Sequence, residues 1–516
     1  MIARRVLSLT ALVAAGGLLL AGCLPFPFGP TPSRTSTPTL EQVAPELAPY
    51  YHQQLVWRDC QDGFQCTEAT APLDWSDPSA GDISLALIRH RATGKRVGSL
   101  LVNPGGPGGS GWSFIADSLD FAVGQPLIER FDIIGFDPRG VGRSSAVSCG
   151  TPAQLDSYYF DVRPYPPGSD AWVDDALQRG ADWSQQCLDG TGPLLAHIDT
   201  ASAAHDMDML RAALGDEKLD YLGYSYGTLL GAQYAQDFPD RAGRLVLDGA
   251  VDPSADPLQA TIFQAVGFEN AFRAYVADCL THDACPFAGM SVDEAVASTR
   301  DLLDRVAENP IPGDDGRLLG GDTLFSAIVL PLYSESNWPY LDDLFTELKT
   351  GGTQWAFLLA DAYYDREADG TYSTNSTEAF LAIGCADRVP GEGPTTPEEV
   401  AQTQRDDAAA TIAAAPLFGP NMGWGVQCWK WPFPGVGSLD PITAPGSPDI
   451  LVIGTTNDPA TPYQEAVTLA STLAKGHLVT YHGEGHTAYN GGNACVDSTV
   501  EDFLIDGVVP EADPNC

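Results

Sequence analysis

The sequence has few basic side chains: its 27 Lys and Arg residues are outnumbered by 68 Asp and Glu residues, for a formal net charge of −41 over 516 residues. Charge of this sign repels phosphate groups, so nucleic acids and anionic lipid headgroups are poor partners. Solubility alone explains such acidity, although a basic or amine-bearing substrate gains a modest attraction. Hydrophobic residues make up 44% of the chain, which is ordinary for a folded protein with a large core.

The apolar run at the N-terminus is too short for a membrane span. Residues 6–20 are apolar, whereas a helix that crosses the bilayer core needs about 20 such residues. The run follows Arg4 and Arg5 and ends in L-A-G-C at Cys23, which is the layout of a secretory signal and resembles a bacterial lipobox. We therefore expect residues 1–22 to be a lipoprotein signal peptide and Cys23 to be acylated. Ordinary secretion with an unmodified Cys23 is the alternative, and two arginines do not decide between Sec and Tat export.

Residues 23–45 are predicted to be a disordered tether, because they are rich in Pro, Thr and Ser and offer little apolar surface to bury. The tether would hold the rest of the chain at the outer face of the cytoplasmic membrane, from which part of the protein could be shed.

Eleven cysteines minus Cys23 leave ten, an even number that an oxidising compartment would pair. Short loops favour nearest-neighbour disulfides, although the sequence alone leaves other pairings open. The expected pairs are Cys60–Cys66, Cys149–Cys187, Cys279–Cys285, Cys385–Cys428 and Cys495–Cys516.

Short apolar runs that alternate with helical patterns predict a parallel sheet flanked by helices. Strand-like runs occupy residues 83–90, 99–102, 131–136, 219–223 and 244–248, and helical patterns occupy 200–214 and 226–236. The strand pattern stops at residue 253 and resumes at 450–453, which predicts an inserted helical cap at 253–441. The core is then formed by residues 46–252 and 442–516. The sequence contains no internal repeats.

Residues 223–227 match G-x-S-x-G, with an apolar strand before the motif and a helix after it. This context is typical of the nucleophile elbow of the α/β-hydrolase fold, in which a tight turn exposes the serine hydroxyl above the sheet. Ser225 is therefore the candidate nucleophile.

A serine nucleophile needs a histidine base and a carboxylate that fixes the tautomer of that histidine, in the chain order Ser, acid, His. His486 follows the last predicted strand, at residues 477–481, and is the best placed of the eight histidines. Asp458 is the favoured acid because it follows strand 450–453 after a turn, whereas Asp248 follows its strand directly. Glycines between His482 and His486 prevent the helix that an H-E-x-x-H zinc site requires, so no metal is expected.

Two backbone N–H groups are expected to stabilise the oxyanion, one from Tyr226 and one from Gly106 in the segment N-P-G-G-P-G-G at 103–109. A phosphate-binding loop is the competing interpretation of these glycines, but no G-K-[S/T] follows them.

Four segments give the mature chain a resemblance to the actinobacterial tripeptidyl aminopeptidase family of α/β-hydrolases, whose cell-envelope lipoprotein members are proteases or carboxylesterases. They are residues 103–111, 135–142, 223–227 and 458–462. The tail with His486, Cys495 and Cys516 is similar to the C-terminal module of that family. The resemblance implies a triad of Ser225, Asp458 and His486 beneath a helical cap, with Thr461 orienting the acid.

Aminopeptidases of this group hold the free amine of the substrate with carboxylates of the cap, for which Glu269 and Asp387 are candidates here. The W-x-x-W-E motif of the related proline iminopeptidases is absent, which weakens the expectation of proline specificity. The first hypothesis is a monomeric, cofactor-independent peptidase that releases short peptides from free N-termini. An envelope esterase or lipase, or an endopeptidase, could use the same triad. A non-catalytic binding protein is a third hypothesis.

Overall fold

The structure is a computed structural model that describes residues 34–166, 168–391, 393–423 and 425–516. Within these residues, ten strands form one sheet in the order β1-β2-β3-β4-β6-β5-β7-β8-β11-β12, and β9 and β10 form a separate hairpin. The strands are β1 (Arg34–Thr35), β2 (Val56–Gln61), β3 (Phe64–Pro72), β4 (Asp82–His90), β5 (Gly98–Asn103), β6 (Phe131–Phe136), β7 (Leu219–Tyr224), β8 (Ala242–Asp248), β9 (Ile311–Pro312), β10 (Leu318–Leu319), β11 (Ile450–Asn457) and β12 (Gly476–Glu484).

The six strands from β6 to β12 in the sheet order run parallel, and β1 to β4 continue the sheet antiparallel. Every residue of β5 and β6 is buried, which explains their uninterrupted apolar sequences. Alternate side chains face opposite layers: Leu100 and Val102 lie in one hydrophobic cluster, and Leu101 between them lies in the other. The carboxyl ends of the parallel strands therefore meet at one edge of a buried sheet.

Helices cover both faces of this sheet. Residues of α2, α3 and α17 pack in one hydrophobic cluster, and residues of α6, α7 and α16 pack in the other. No described helix combines the length and the apolar character of a membrane span. The helices are α1 (Ala48–Tyr51), α2 (Gly111–Ala122), α3 (Gln125–Arg130), α4 (Pro152–Phe160), α5 (Asp170–Thr191), α6 (Thr200–Leu214), α7 (Tyr226–Asp237), α8 (Pro257–Cys279), α9 (Val292–Glu308), α10 (Gly321–Val329), α11 (Trp338–Leu348), α12 (Gln354–Tyr363), α13 (Ser376–Ala386), α14 (Pro397–Ala414), α15 (Gly419–Met422), α16 (Tyr463–Thr472) and α17 (Ala494–Asp506).

The chain between β8 and β11 contributes α8 to α15 and the β9–β10 hairpin, and in its described residues no strand of the main sheet. Helix α5, which lies within the range assigned to the core by sequence, packs against α14 of this insertion. Trp172 and Leu177 of α5 are buried in one cluster with Val400 of α14. The layer formed by the insertion is thus completed by a segment that precedes the elbow.

The prediction of a disordered tether through residue 45 is wrong for residues 34–45. Arg34 and Thr35 pair with β2, and the N–H of Thr39 donates to the carbonyl of Ala212 at 3.0 Å. The Glu41 carboxylate pairs with the buried Arg211 at 2.9 Å. Composition missed these contacts because they use backbone groups and one charged side chain, with little apolar burial. Cys23 and the signal segment lie outside the described residues.

The ten cysteines of the described residues form five disulfides, between the neighbours along the chain that the sequence order favoured. They are Cys60–Cys66, Cys149–Cys187, Cys279–Cys285, Cys385–Cys428 and Cys495–Cys516.

Candidate active site

Ser225 lies on a sharp turn between β7 and α7, with φ of 56° and ψ of −127°. A positive φ is rare for a residue with a side chain and is tolerated only where surrounding contacts enforce it. A Cβ on Gly223 would clash with the carbonyl oxygen of Gly227, so the turn requires glycine there. The Ser225 N–H donates to the backbone carbonyl of Asp248 at 2.9 Å. These contacts hold the serine at the carboxyl end of β7 and next to the end of β8.

The glycine-rich loop after β5 packs directly against this turn. A Cβ on Gly105 would lie 2.8 Å from Cβ of Ser225 and 3.1 Å from the backbone nitrogen of Tyr226. Gly105 and Gly106 both have positive φ, of 96° and 112°. No side chain would fit between the loop and the elbow, so glycine is required in the loop. The segment that contains Gly106 and the segment that contains Tyr226 are therefore in close backbone contact.

His486 and Asp458 form a buried pair. Nδ1 of His486 lies 2.9 Å from each carboxylate oxygen of Asp458, and the same carboxylate accepts from the N–H groups of Ala460 and Thr461. The Thr461 hydroxyl donates to Asp458 at 3.2 Å. Nε2 of His486 is buried and has no hydrogen-bond partner among the described residues. This pairing favours the tautomer that leaves a lone pair on Nε2, as a general base requires.

Ser225 and His486 contact the same end of β8. A Cβ on Gly249 would lie 3.1 Å from Cε1 of His486, and the preceding residue, Asp248, accepts the Ser225 N–H. The serine and the histidine therefore share one edge of the sheet, as parallel strands require of groups at their carboxyl ends.

A family profile described as alpha/beta hydrolase fold matches residues 98–490. The chain belongs to the α/β-hydrolase family. This confirms the fold class predicted from the alternating strands and the elbow motif.

Relatives of this α/β-hydrolase include both peptidases and an esterase. The serine protease Hip1 of Mycobacterium tuberculosis is 35% identical over 544 residues, which cover 99% of this chain and 98% of the relative. Carboxylesterase B of the same species is 38% identical over 525 residues, 98% of each chain. The tripeptidyl aminopeptidase of Streptomyces lividans is 32% identical over 479 residues, 89% of this chain and 86% of the relative. The family resemblance recognised in the sequence is confirmed.

Acidic groups surround the imidazole of the hydrolase. Burial alone would lower the pKa of His486, but the charge and the hydrogen bond of Asp458 outweigh burial, and Asp248 and Glu465 add to the effect. The pKa of His486 is therefore raised. Burial also raises the pKa of Glu465 on α16 to about 7, although its carboxylate accepts from the N–H of Asp252 at 3.1 Å. No motif in the sequence pointed to Glu465.

Asp248, the competing acid in the sequence, does not bind the imidazole. Its carboxylate accepts the N–H groups of Ala488 and Tyr489, which follow His486 in the chain. Asp248 competed with Asp458 in the sequence because both follow a parallel strand and both precede His486; the acid that the sequence favoured, Asp458, is the one that lies against the imidazole.

The two acids expected to bind a substrate amine differ in their surroundings. Glu269 is 6% exposed and accepts from the N–H of Leu417, with Arg273 at 3.8 Å. Asp387 accepts from the N–H and the hydroxyl of Thr200 at 2.8 and 2.6 Å, and burial raises its pKa to about 7. The same hydroxyl of Thr200 lies 2.6 Å from that of Tyr226, so Asp387 lies next to the helix that follows the elbow.

The cap contributes a contact to the site that the sequence analysis missed. The carbonyl of Tyr333 accepts the N–H of His486 at 2.8 Å, and the two rings meet edge to face with centroids 5.7 Å apart. Tyr333 lies between α10 and α11 in a segment without a recognisable motif, so the local sequence did not predict this contact.

Proposed function

We propose that this α/β-hydrolase is an exported serine peptidase in which Ser225, His486 and Asp458 form the catalytic triad. The observation that carries the proposal is the His486 side chain, bound through Nδ1 to both oxygens of Asp458 and presenting a free Nε2 at the sheet edge that bears Ser225. The relatives named above, two peptidases and an esterase, support a serine hydrolase.

In the proposed reaction, Nε2 of His486 takes the proton of the Ser225 hydroxyl while Oγ attacks the substrate carbonyl carbon. Asp458 keeps the imidazole in the required tautomer, and Thr461 orients Asp458. The N–H groups of Tyr226 and Gly106 would stabilise the oxyanion. His486 then protonates the leaving amine, and a water molecule activated by the same imidazole hydrolyses the acyl-enzyme. The proposed reaction uses no cofactor.

Within this chemistry we favour an aminopeptidase that releases short peptides from free N-termini. Asp387 supports this choice, because it places a half-buried carboxylate beside the elbow helix, where it would pair with a substrate ammonium. Glu269 has weaker support, since its carboxylate already faces a cation, Arg273, at 3.8 Å. An esterase or an endopeptidase is the alternative, favoured by the identity of 38% to carboxylesterase B.

We also propose that Cys23 is acylated and anchors the enzyme to the outer face of the cytoplasmic membrane. The support is the L-A-G-C sequence that ends the apolar run at the N-terminus. In the native host, Cys23→Ala should move the protein from the membrane fraction to the soluble fraction. An unchanged distribution would contradict the anchor and leave the catalytic proposal intact.

The catalytic proposal is tested with purified protein that starts at residue 34. Its substrates are matched peptide anilides with free and blocked N-termini and short-chain aryl esters. Turnover of only the free-amine peptide supports the aminopeptidase. Turnover of the esters alone identifies an esterase, and cleavage of blocked peptides identifies an endopeptidase.

The matched variants are Ser225→Ala and Ser471→Ala, the latter at an exposed serine of α16. Ser225→Ala should abolish turnover and labelling by a fluorophosphonate, whereas Ser471→Ala should retain both. Labelling of any other residue, or full activity of Ser225→Ala, would disprove the assigned nucleophile.

A further inference from the structure

Asp248 ends strand β8 and is fully buried. One of its carboxylate oxygens accepts the N–H of Ala488 at 3.1 Å, and the other accepts the N–H groups of Ala488 and Tyr489 at 3.0 and 2.8 Å. These two donors come directly after His486 and Thr487. Thr487 has a positive φ of 70°, so the chain turns sharply between the imidazole and the residues that Asp248 holds.

The backbone of the same residue holds the other half of the site. Its carbonyl oxygen accepts the N–H of Ser225 at 2.9 Å. Ser225 has the positive φ of the elbow, and its carbonyl oxygen accepts from the N–H and the hydroxyl of Thr228 at 2.8 and 2.6 Å. One residue of β8 is thus bonded to the loop of the base through its side chain and to the nucleophile through its main chain.

Four charged or titratable groups face Asp248 or the imidazole beside it. His486 and Asp458, from the loops after β12 and β11, act on the carboxylate of Asp248, and the hydroxyl of Tyr224 on β7 is within electrostatic range. Glu465 on α16 acts on His486. Burial raises the pKa of Asp248 to about 6, so this carboxylate is ionised above neutral pH.

We infer that Asp248 is a positioning residue of the proposed triad, which sets the separation between Ser225 and His486 by bonding to both loops and adds a second negative charge beside the imidazole. The carboxylate that bonds to the ring is that of Asp458, not that of Asp248. The inference rests on the proposed function, since positioning has meaning only if Ser225 and His486 react together.

The variant Asp248→Asn tests the inference, because asparagine keeps the volume but removes the charge and turns one acceptor into a donor facing backbone N–H groups. We expect kcat to fall about tenfold to a hundredfold with little change in KM, as misplacement of reacting groups by about 1 Å can do. We also expect the acid limb of the kcat/KM profile to shift to lower pH, since a negative charge that stabilises the imidazolium is lost.

Asp220→Asn is the matched control. Asp220 lies on the neighbouring strand β7, its carboxylate accepts the N–H of Arg244 at 2.8 Å, and burial raises its pKa to about 6 as for Asp248. It lies near the start of β7, while Asp248 is at the carboxyl end of β8. We therefore expect Asp220→Asn to keep the kcat and the acid limb of the unmodified enzyme, even where its melting temperature falls.

The outcomes separate the two proposals. If the unmodified enzyme and Asp220→Asn turn over substrate while Asp248→Asn has the same kcat and pH profile, the inference is overturned and the proposed function stands. A lower kcat with an unmoved acid limb assigns Asp248 a purely structural role and also overturns it. If the unmodified enzyme hydrolyses nothing, it is the proposed function that fails.

Should Asp248→Asn fail to fold, the unmodified enzyme supplies the measurement. Selective ¹⁵N labelling of alanine and tyrosine allows the amide resonances of Ala488 and Tyr489 to be followed against pH. Both should titrate together with a midpoint near 6, the pKa of Asp248. Amide shifts independent of pH between 5 and 8 would overturn the inference.

Discussion

At the scale of single residues, the site depends on how each side chain leaves the end of its strand. Strand β11 extends to Asn457, so Asp458 follows the strand directly and begins a turn in which the N–H groups of Ala460 and Thr461 hold its carboxylate beside the imidazole. Asp248 lacks such a turn, so its carboxylate stays beneath the loop and binds backbone. Asp458 and Asp248 both lie at the carboxyl end of a strand, but Asp458 bonds to the imidazole and Asp248 bonds to backbone N–H groups.

Asp458→Asn should lower kcat about 10³-fold to 10⁴-fold, because the amide no longer selects the tautomer with a free Nε2. The chain offers a matched control in Asp449, which bonds to Nε2 of His477 at 2.8 Å near the start of the same two strands. Asp449→Asn should leave kcat within about twofold, as expected for a surface pair. Steady-state kinetics on one peptide or ester substrate measures both, and similar losses would contradict the assignment of the acid.

The activity should depend on pH through His486. The base must be neutral to accept the Ser225 proton, and its pKa is raised by Asp458, with smaller contributions from Asp248 and Glu465. The kcat/KM should therefore rise with pH to a plateau, with a midpoint above the ordinary histidine value of 6.5. Glu465→Gln should shift that midpoint to lower pH. A midpoint below 6.5 in the unmodified enzyme would contradict this electrostatic picture.

At the scale of the elements, the N-terminal segment belongs to the folded domain because of an ion-pair cluster. Glu41 bonds to Arg211 and lies 3.0 Å from Arg241, and both arginines also bind Asp208. The side chains of Arg211 and Asp208 are completely buried. Loss of Glu41 therefore leaves a buried guanidinium with one carboxylate fewer.

Glu41→Ala should lower the free energy of unfolding by roughly 2 kcal/mol, less than the full cost of breaking a buried pair because Arg211 keeps Asp208. Glu46→Ala, at an exposed position of the same segment, should change it by less than about 0.5 kcal/mol. Thermal or urea unfolding gives both values. Equal stability of the two variants would show that residues 34–45 are not held by this cluster.

The strands were predictable where they are buried on both faces, as β5 and β6 are. Strand β2 escaped detection because only Trp57 of its six residues is buried, so no apolar run or alternation marks it. Helices α4 and α5 were not predicted; Tyr158 of α4 stacks on Trp183 of α5, and Tyr159 of α4 stacks on Tyr364 of the cap. The motif at residues 135–142 was recognised in the sequence without a physical reason, which the structure supplies. Arg139 of this motif is buried and donates two hydrogen bonds to the carboxylate of Asp206.

At the scale of the whole molecule, acidic residues outnumber basic residues, and several of the carboxylates are buried within the fold. Burial raises the pKa of Glu378, Asp387 and Glu465 to about 7, from ordinary values of 3.8 to 4.5. Each group binds its proton more tightly in the folded state than in the unfolded state. Their stabilising contribution is complete below the unfolded values and is lost as the pH rises through about 7.

The melting temperature should therefore fall between pH 5 and pH 8, and repulsion within a chain of net charge −41 acts in the same direction. Glu378→Gln should reduce the slope of melting temperature against pH. Glu294→Gln, at an exposed helix cap where hydrogen bonds to Ser291 lower the pKa, should not affect the slope in this range. Thermal scans at fixed ionic strength measure it, and a melting temperature that rises from pH 5 to pH 8 would contradict the prediction.

The sequence by itself determined the α/β-hydrolase fold, the elbow serine and the order of acid and histidine, because buried strands, tight turns and strand ends are local features that neighbouring residues specify. The sequence favoured Asp458 over Asp248, but only the tertiary structure placed the Asp458 carboxylate at the imidazole, packed residues 34–45 on the core, and bonded Asp248 to the segments that carry Ser225 and His486. Those outcomes depend on distances between segments that are not neighbours in the chain, and such distances are set only when the whole sheet and its cap are packed.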